Sequence, residues 1–288
     1  MQKISTYSYT VADLGRLPHR PKDSNKGTFG RVLCVCGSYG MAGAAYLCAK
    51  AALRSGAGLV EILTVRENLP VLQTLLPEAI VTAYDTENTD MRVIDSAISR
   101  ATAVVCGCGM GINPTSRQIV ARVLRTCEAP LVLDADALNL ISRNPSLKKY
   151  AKNKIITPHP AEMSRLTGIS TEEISENRLS VCHDFAKQHE LVCLLKGHNT
   201  AVCDGSDKIY VNNSGNSGMA TAGSGDVLAG IIGGILAQNN DGKLSLLDVA
   251  ALGAYIHGLA GDVAASKMGE YSLIASDIID ALPLVLKK

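Results

Sequence analysis

Gly215-Asn216-Ser217-Gly218-Met219-Ala220-Thr221-Ala222-Gly223-Ser224-Gly225-Asp226 runs directly into the apolar stretch Val227-Leu228-Ala229-Gly230-Ile231-Ile232-Gly233-Gly234-Ile235-Leu236-Ala237. A glycine-rich loop here opens a helix. The first helical turn leaves its N–H groups unpaired at the positive end of the helix dipole, so the junction is an anion site suited to a phosphoryl group. Gly223 and Gly225 let the backbone approach such a ligand, and Asp226 stands where a carboxylate accepts a proton from an attacking hydroxyl. Helix capping by Asp226 alone leaves the extra glycines unexplained. The chain has no G-x-x-x-x-G-K-[ST] motif and no strand followed by G-x-G-x-x-G, so a nucleotide would be held by another scheme.

Upstream, short apolar runs alternate with stretches of helical period. The spacing predicts strands at 32–36, 58–65, 79–83, 103–106, 131–133, 154–157 and 191–195, with helices at 43–55, 91–99, 116–126, 161–166 and 171–189 between them. This rhythm is that of an α/β fold with a mainly parallel central sheet, helices on both faces and ligand beyond the carboxyl ends of the strands. Segments 200–203 and 208–211 flank Asp204-Gly205-Ser206-Asp207, a hairpin signature, and three helices at 227–237, 245–266 and 274–286 finish the chain. Residues 1–288 read as a single domain, since no break in composition marks a linker.

The chain is 47% hydrophobic but only 4% aromatic, the population of parallel strands covered by helices. With 28 Lys and Arg against 27 Asp and Glu, no global field attracts nucleic acid or an anionic membrane, so a small molecule is the expected partner. No apolar run stands out as a membrane span of about 18 residues, and the N-terminus is too polar for a signal-peptide core, which places the protein in the cytoplasm. The nine Cys are an odd number and sit largely in strand-like runs, as small buried apolar residues of a reducing compartment. Cys34 and Cys36, like Cys106 and Cys108, are C-x-C pairs, a spacing that does not predict a zinc site.

The run from Asn216 to Gly230, with its Gly-Ser-Gly-Asp centre, resembles the ribokinase-like superfamily. Three further segments resemble the ADP/ATP-dependent NAD(P)H-hydrate dehydratase family within it. They are Lys26-Gly27-Thr28-Phe29-Gly30-Arg31-Val32 leading to Gly37-Ser38 and Gly43-Ala44-Ala45, then Asp134-Ala135-Asp136-Ala137-Leu138-Asn139, and Thr157-Pro158-His159-Pro160-Ala161-Glu162. The resemblance implies dehydration of the S-epimer of hydrated NADH or NADPH, driven by conversion of ADP to AMP, or of ATP to ADP, with Mg²⁺ and release of phosphate. The chemistry is coherent. A ring hydroxyl leaves poorly, but once phosphorylated it is expelled by the lone pair of the adjacent ring nitrogen.

By resemblance, Asp226 is the catalytic base and touches the substrate, together with Ala44, Gly107, Gly109 and His159. Lys196, Gly197, His198, Asn199, Thr200 and Gly225 match the family's adenine-nucleotide positions. Cys108 replaces the proline of a family segment that reads Gly-Pro-Gly-Leu-Gly, which relaxes the loop. Asp134 and Asp136 follow a strand and are candidates for a direct or water-mediated role near Mg²⁺; Glu162 reads as a first-turn helix carboxylate and His257 as a packing or subunit-contact residue.

The alternatives are a ribokinase-like small-alcohol kinase of the hydroxymethylpyrimidine or hydroxyethylthiazole type, which would stop after phosphoryl transfer, and a non-catalytic nucleotide sensor. ADP is preferred over ATP as donor. The resemblance also implies a homotetramer and a separately encoded NAD(P)H-hydrate epimerase as functional partner.

Overall fold

The computed structural model describes residues 4–239 and 241–287; of the polar lead-in, residues 1–3 lie outside the described residues. Ten strands form one sheet: β1 (Ser5–Tyr7), β2 (Arg31–Val35), β3 (Leu59–Val65), β4 (Ile80–Tyr84), β5 (Ala103–Cys106), β6 (Leu131–Leu133), β7 (Ile155–Ile156), β8 (Val192–Leu195), β9 (Ala201–Cys203) and β10 (Lys208–Val211). Their spatial order is β1-β10-β9-β8-β7-β6-β5-β2-β3-β4. Among these strands β9 alone runs against its neighbours, with Leu194 opposite Val202 on one side and Tyr210 opposite Val202 on the other. The hairpin read from Asp204-Gly205-Ser206-Asp207 is present, with Ser206 N–H bonded to the Asp204 carboxylate at 2.9 Å.

Eleven α-helices among the described residues cover the sheet. On one face lie α1 (Ala42–Arg54), α2 (Leu69–Leu75) and the C-terminal α9 (Ser224–Gln238), α10 (Leu246–Met268) and α11 (Ala275–Val285). The other carries α3 (Met91–Arg100), α4 (Pro114–Thr126), α5 (Ala135–Arg143), α6 (Pro160–Thr167), α7 (Thr171–Glu176) and α8 (Arg178–His189). The assignment follows from handedness. The chain moves outward from β2 through β3 to β4, returns beside β2 as β5, and proceeds the other way, so right-handed crossovers put the two sets of helices on opposite faces.

Local chemistry starts many of these helices. Asp90 accepts from Arg92 N–H, Asn113 from Ser116 N–H, Ser170 from Glu173 N–H and Ser245 from Asp248 N–H, while Pro70, Pro114 and Pro160 occupy first turns where no N–H is needed. The helix expected over 171–189 breaks instead at Asn177, which leaves helical geometry at φ −113° and ψ 31° between α7 and α8. Strand β1 and helices α2 and α5 have no counterpart in the periodicity reading. Helix α10 is long and apolar enough to cross a membrane by length and composition, unlike the expectation above. Two thirds of its apolar window is buried, between α9 and α11, so it is a core helix.

Candidate active site

Strands β2 and β5 are neighbours whose onward chains leave for opposite faces, α1 to one and α4 to the other. A crevice opens at such a reversal, beyond the carboxyl ends of the strands. The two loops there are tied together: Gly37 N–H donates to the Cys108 carbonyl at 2.8 Å and the Ser38 hydroxyl to the Gly109 carbonyl at 2.9 Å. Three of the expected substrate positions meet here. A Cβ on Gly107, at φ +127°, would lie 1.9 Å from the Asp134 carbonyl oxygen, and one on Gly109 would lie 2.6 Å from the Ala44 Cβ. Both glycines are therefore demanded by the packing of the loop itself, whatever ligand lies beyond.

Asp134 ends β6 and is buried. Its Oδ1 accepts from the Lys196 ammonium at 2.7 Å and from the Thr157 hydroxyl at 2.8 Å. Ala135, immediately after it, holds φ +47°, a strained left-handed conformation at the start of α5. The next carboxylate, Asp136, turns back to accept from Gly111 N–H at 2.8 Å and so pins the β5 loop. Lys196 reaches from the end of β8, and a second carboxylate, Glu162 Oε2, stands 3.9 Å from its ammonium. Burial would strip Lys196 of its proton, but Asp134 and Glu162 hold its pKa up. Burial pushes the Glu162 carboxyl up, with Lys196 opposing.

His159 occupies the N-cap of α6. Its Nδ1 accepts from Ala161 N–H at 3.1 Å and Glu162 N–H at 3.4 Å, while the backbone N–H of His159 donates to Glu162 Oε2 at 2.9 Å. These bonds fix the tautomer, because a ring nitrogen that accepts carries no proton. The proton sits on Nε2, 3.4 Å from Glu162 Oε1, and burial together with Lys196 holds the imidazole pKa below its ordinary value. His159 thus presents a neutral ring with one N–H donor. The sequence reading of Glu162 as a first-turn carboxylate holds but is incomplete, since the same group helps to hold Lys196.

Asp226 lies in the first turn of α9, with Oδ of Asp226, Oδ of Asp134 and Sγ of Cys108 all within 4.8 Å of one another. Its carboxyl is pushed up to about 7, chiefly by burial and then by the charge of Asp134, against the pull of the Cys108 thiol and Lys196. A carboxyl poised near neutrality can both take and return a proton. Gly225 beside it is crowded only by the site itself: a Cβ there would stand 3.3 Å from Lys196 Nζ, closer than an ordinary contact, and 3.9 Å from Asp134 Oδ2.

Residues 196–200 form a closed turn after β8. Gly197 N–H donates to the Thr200 hydroxyl at 3.2 Å, the Thr200 hydroxyl donates to the Gly197 carbonyl at 2.9 Å, and Arg178 donates to the Lys196 carbonyl at 2.8 Å. His198 and Asn199 are exposed at its tip, Asn199 at φ +57°. The Lys196 side chain points inward while the rest of the turn faces solvent. Two residues outside the expected set also reach the site: Thr157, through Asp134, and His257, whose Nε2 lies 3.2 Å from the Ser224 hydroxyl at the start of α9. Burial holds the His257 pKa down to about 4, so it is neutral. Thr157 was visible only as part of Thr-Pro-His-Pro, and His257 as a lone histidine in an apolar helix.

Around Asp134, Oδ1 is engaged by an ammonium and a hydroxyl, while Cys108 Sγ and a carboxylate oxygen of Asp226 lie within 4.8 Å. Mg²⁺ takes hard oxygens and keeps several waters, so these two carboxylates are the groups here that could approach it, and the thiol is not. Asp134 is an anchor for Lys196.

The sequence pattern of the NAD(P)H-hydrate dehydratase family matches residues 32–284. The ADP-dependent (S)-NAD(P)H-hydrate dehydratase of Neisseria meningitidis is 39% identical over 92% of this chain and 89% of its own. The bifunctional NAD(P)H-hydrate repair enzyme Nnr of Coxiella burnetii is 41% identical over 94% of the chain and 53% of its own; the chain spans about half the length of such curated relatives. Among solved structures, a ribokinase-like superfamily protein from Enterococcus faecalis superposes with TM-score 0.86 at 30% identity, over 98% of this chain and 95% of that one. The ADP/ATP-dependent NAD(P)H-hydrate dehydratase of Bacillus subtilis, co-crystallised with ATP/Mg²⁺, gives 0.82 at 29% identity over 96% of both chains. With its ribokinase-like sheet, its reversal-point crevice and a family match across almost its whole length, this chain belongs to the NAD(P)H-hydrate dehydratase family.

Proposed function

We propose that the chain dehydrates the S-epimer of hydrated NADH and NADPH, using ADP as phosphoryl donor and releasing AMP and phosphate. One observation carries the reading: a carboxyl poised near neutrality, Asp226, stands at the amino end of a helix and beside an Asp134–Lys196 pair, in the crevice where the sheet reverses. The name of the Neisseria relative supports the choice of ADP.

In this mechanism the hydroxyl of the hydrated ring approaches Asp226, which takes its proton as the oxygen attacks the terminal phosphorus. The bond from phosphorus to the bridging oxygen of the nucleotide breaks. N–H groups at the start of α9 and the Lys196 ammonium hold the charge that develops on the phosphoryl oxygens. Lone-pair donation from the ring nitrogen then breaks the carbon–oxygen bond and expels phosphate, and the departing phosphate takes the proton of the neighbouring ring carbon, which restores the dihydropyridine. His159, with its donor fixed on Nε2, orients the substrate, and Ala44, Gly107 and Gly109 form the wall behind it. Gly197, His198, Asn199, Thr200 and Gly225 contact the nucleotide. Mg²⁺ would enter with the nucleotide and offset the charge of its phosphates, and no side chain is assigned to it.

The wider setting is part of the proposal. The chain acts as one domain of a cytoplasmic homotetramer, a reading supported by the exposed Met268, Tyr271, Ile274 and Leu284 near the C-terminal helices and by nine buried free thiols. An NAD(P)H-hydrate epimerase works beside it, as the two-function name of the longer relatives supports. The test is to mix the protein with chemically hydrated NADH, Mg²⁺ and ADP or ATP and follow dihydropyridine absorbance. Recovery that needs nucleotide and is lost in Asp226→Asn supports dehydration. Nucleotide consumption only with a pyrimidine or thiazole alcohol would replace it by the kinase reading.

A further inference from the structure

Cys36 at the end of β2, Cys48 in α1 and Cys108 in the β5 loop come from three separate places, the first and last 72 positions apart, yet their Sγ atoms lie within 4.8 Å of one another. All three are buried, and a fourth thiol, Cys34, stands 3.8 Å from Cys48. Nothing in the proposed mechanism uses Cys36 or Cys48. We propose that Cys36, Cys48 and Cys108 form a site for one thiophilic d¹⁰ cation, Zn²⁺, Cd²⁺ or Cu⁺, directly beneath the reaction centre.

The argument is geometric and chemical. Zinc–thiolate bonds of about 2.3 Å at tetrahedral angles put sulfurs roughly 3.8 Å apart, so the cluster needs to contract by no more than about 1 Å to grip an ion. Soft thiolates select such cations over Mg²⁺ or Ca²⁺. Three thiolates suffice for a trigonal site, and the Asp134 and Asp226 carboxylates lie within 4.8 Å of Cys108 Sγ alone, at one corner of the cluster. Three S–H protons leave to solvent as three metal–sulfur bonds form, so binding strengthens as pH rises. With a divalent ion the three thiolates carry one excess negative charge, faced by the Lys196 ammonium. The C-x-C spacing that argued against a zinc motif is no obstacle, since the ligands are assembled by the sheet reversal and not by a local motif. Because the cluster borders Asp226, a bound ion would also stop the dehydratase; that consequence rests on the proposed function, whereas binding does not.

The test is titration of the reduced, metal-free full chain with Cd²⁺, read as the sulfur-to-cadmium charge-transfer band in the ultraviolet. One ion per chain is expected, with the band abolished in Cys48→Ala and in Cys36→Ala. It should be kept in Cys182→Ala, which lies in a different part of the core. Circular dichroism of each variant checks folding, and a variant that unfolds is replaced by Cys→Ser at the same position. Absence of the band in the wild type, or its persistence without Cys48, overturns the site. If Cd²⁺ binds as expected but dehydration is unaffected, the site stands and its coupling to Asp226 falls.

Discussion

The two ends of α9 use the same residue for opposite purposes. At Gly230, Gly233 and Gly234 an added Cβ would come within 2.1 Å of the Cys48 carbonyl oxygen, 2.5 Å of Val105 Cγ2 and 2.7 Å of the Ala52 carbonyl oxygen. There the missing side chain lets α1 and the sheet close on the helix. At Gly225, the second residue of the helix, the nearest atom is the tip of Lys196 at 3.3 Å, so a methyl group would displace only that flexible side chain and not the backbone. Glycine-rich helices are easily read as packing devices throughout. Here the packing explanation holds for the later turns and fails at the first, and that difference is the local evidence for a ligand above Gly225 and Asp226.

The comparison breaks most visibly at Asp226. Asp226→Asn should keep the fold and lose roughly 10²- to 10⁴-fold in kcat, the range for removal of a general base, measured as restored dihydropyridine absorbance. Gly230→Ala should do the reverse, costing about 1–3 kcal/mol in urea unfolding through overpacking while leaving the activity of the folded fraction. An equal loss of activity in both variants would erase the distinction between the two ends.

The pH dependence sharpens it further. Because Asp226 titrates near 7 when folded, against an ordinary 3.8, the folded state holds this proton more tightly. The group's contribution to stability is full below about pH 4 and is lost as pH rises through 7. Wild type should therefore be less stable than Asp226→Asn at pH 8 by about 1–3 kcal/mol, allowing for screening, with the gap closing near pH 4. Activity runs the other way, falling about tenfold per unit below pH 7 because the base must be ionised. The smallest effect is expected at Gly225→Ala: a rise in helix stability of up to about 1 kcal/mol, with nucleotide KM raised about tenfold by the methyl group in the phosphoryl path.

What the sequence made legible follows the same division. Buried parallel strands such as residues 32–36 announce themselves as unbroken apolar runs, and Gly-Ser-Gly-Asp ahead of an apolar helix marks the anion site. β1 is three residues, two exposed and one half-buried, that make sense only beside β10, some 200 positions away, so no local pattern reveals it. α5 begins directly at Asp134 through a residue of positive φ, which no propensity anticipates. The Lys196–Asp134 pair joins residues 62 positions apart, and the thiol cluster joins three elements. Motifs held by adjacent residues were readable, whereas contacts made by the sheet reversal were not.

The most direct test of the central claim is stoichiometry: NADH restored per ADP consumed, by following dihydropyridine absorbance and AMP together in one reaction with the S-epimer. One AMP per NADH, with neither formed by Asp226→Asn, is the predicted result. NADH restored without AMP, or AMP formed without NADH, would contradict it.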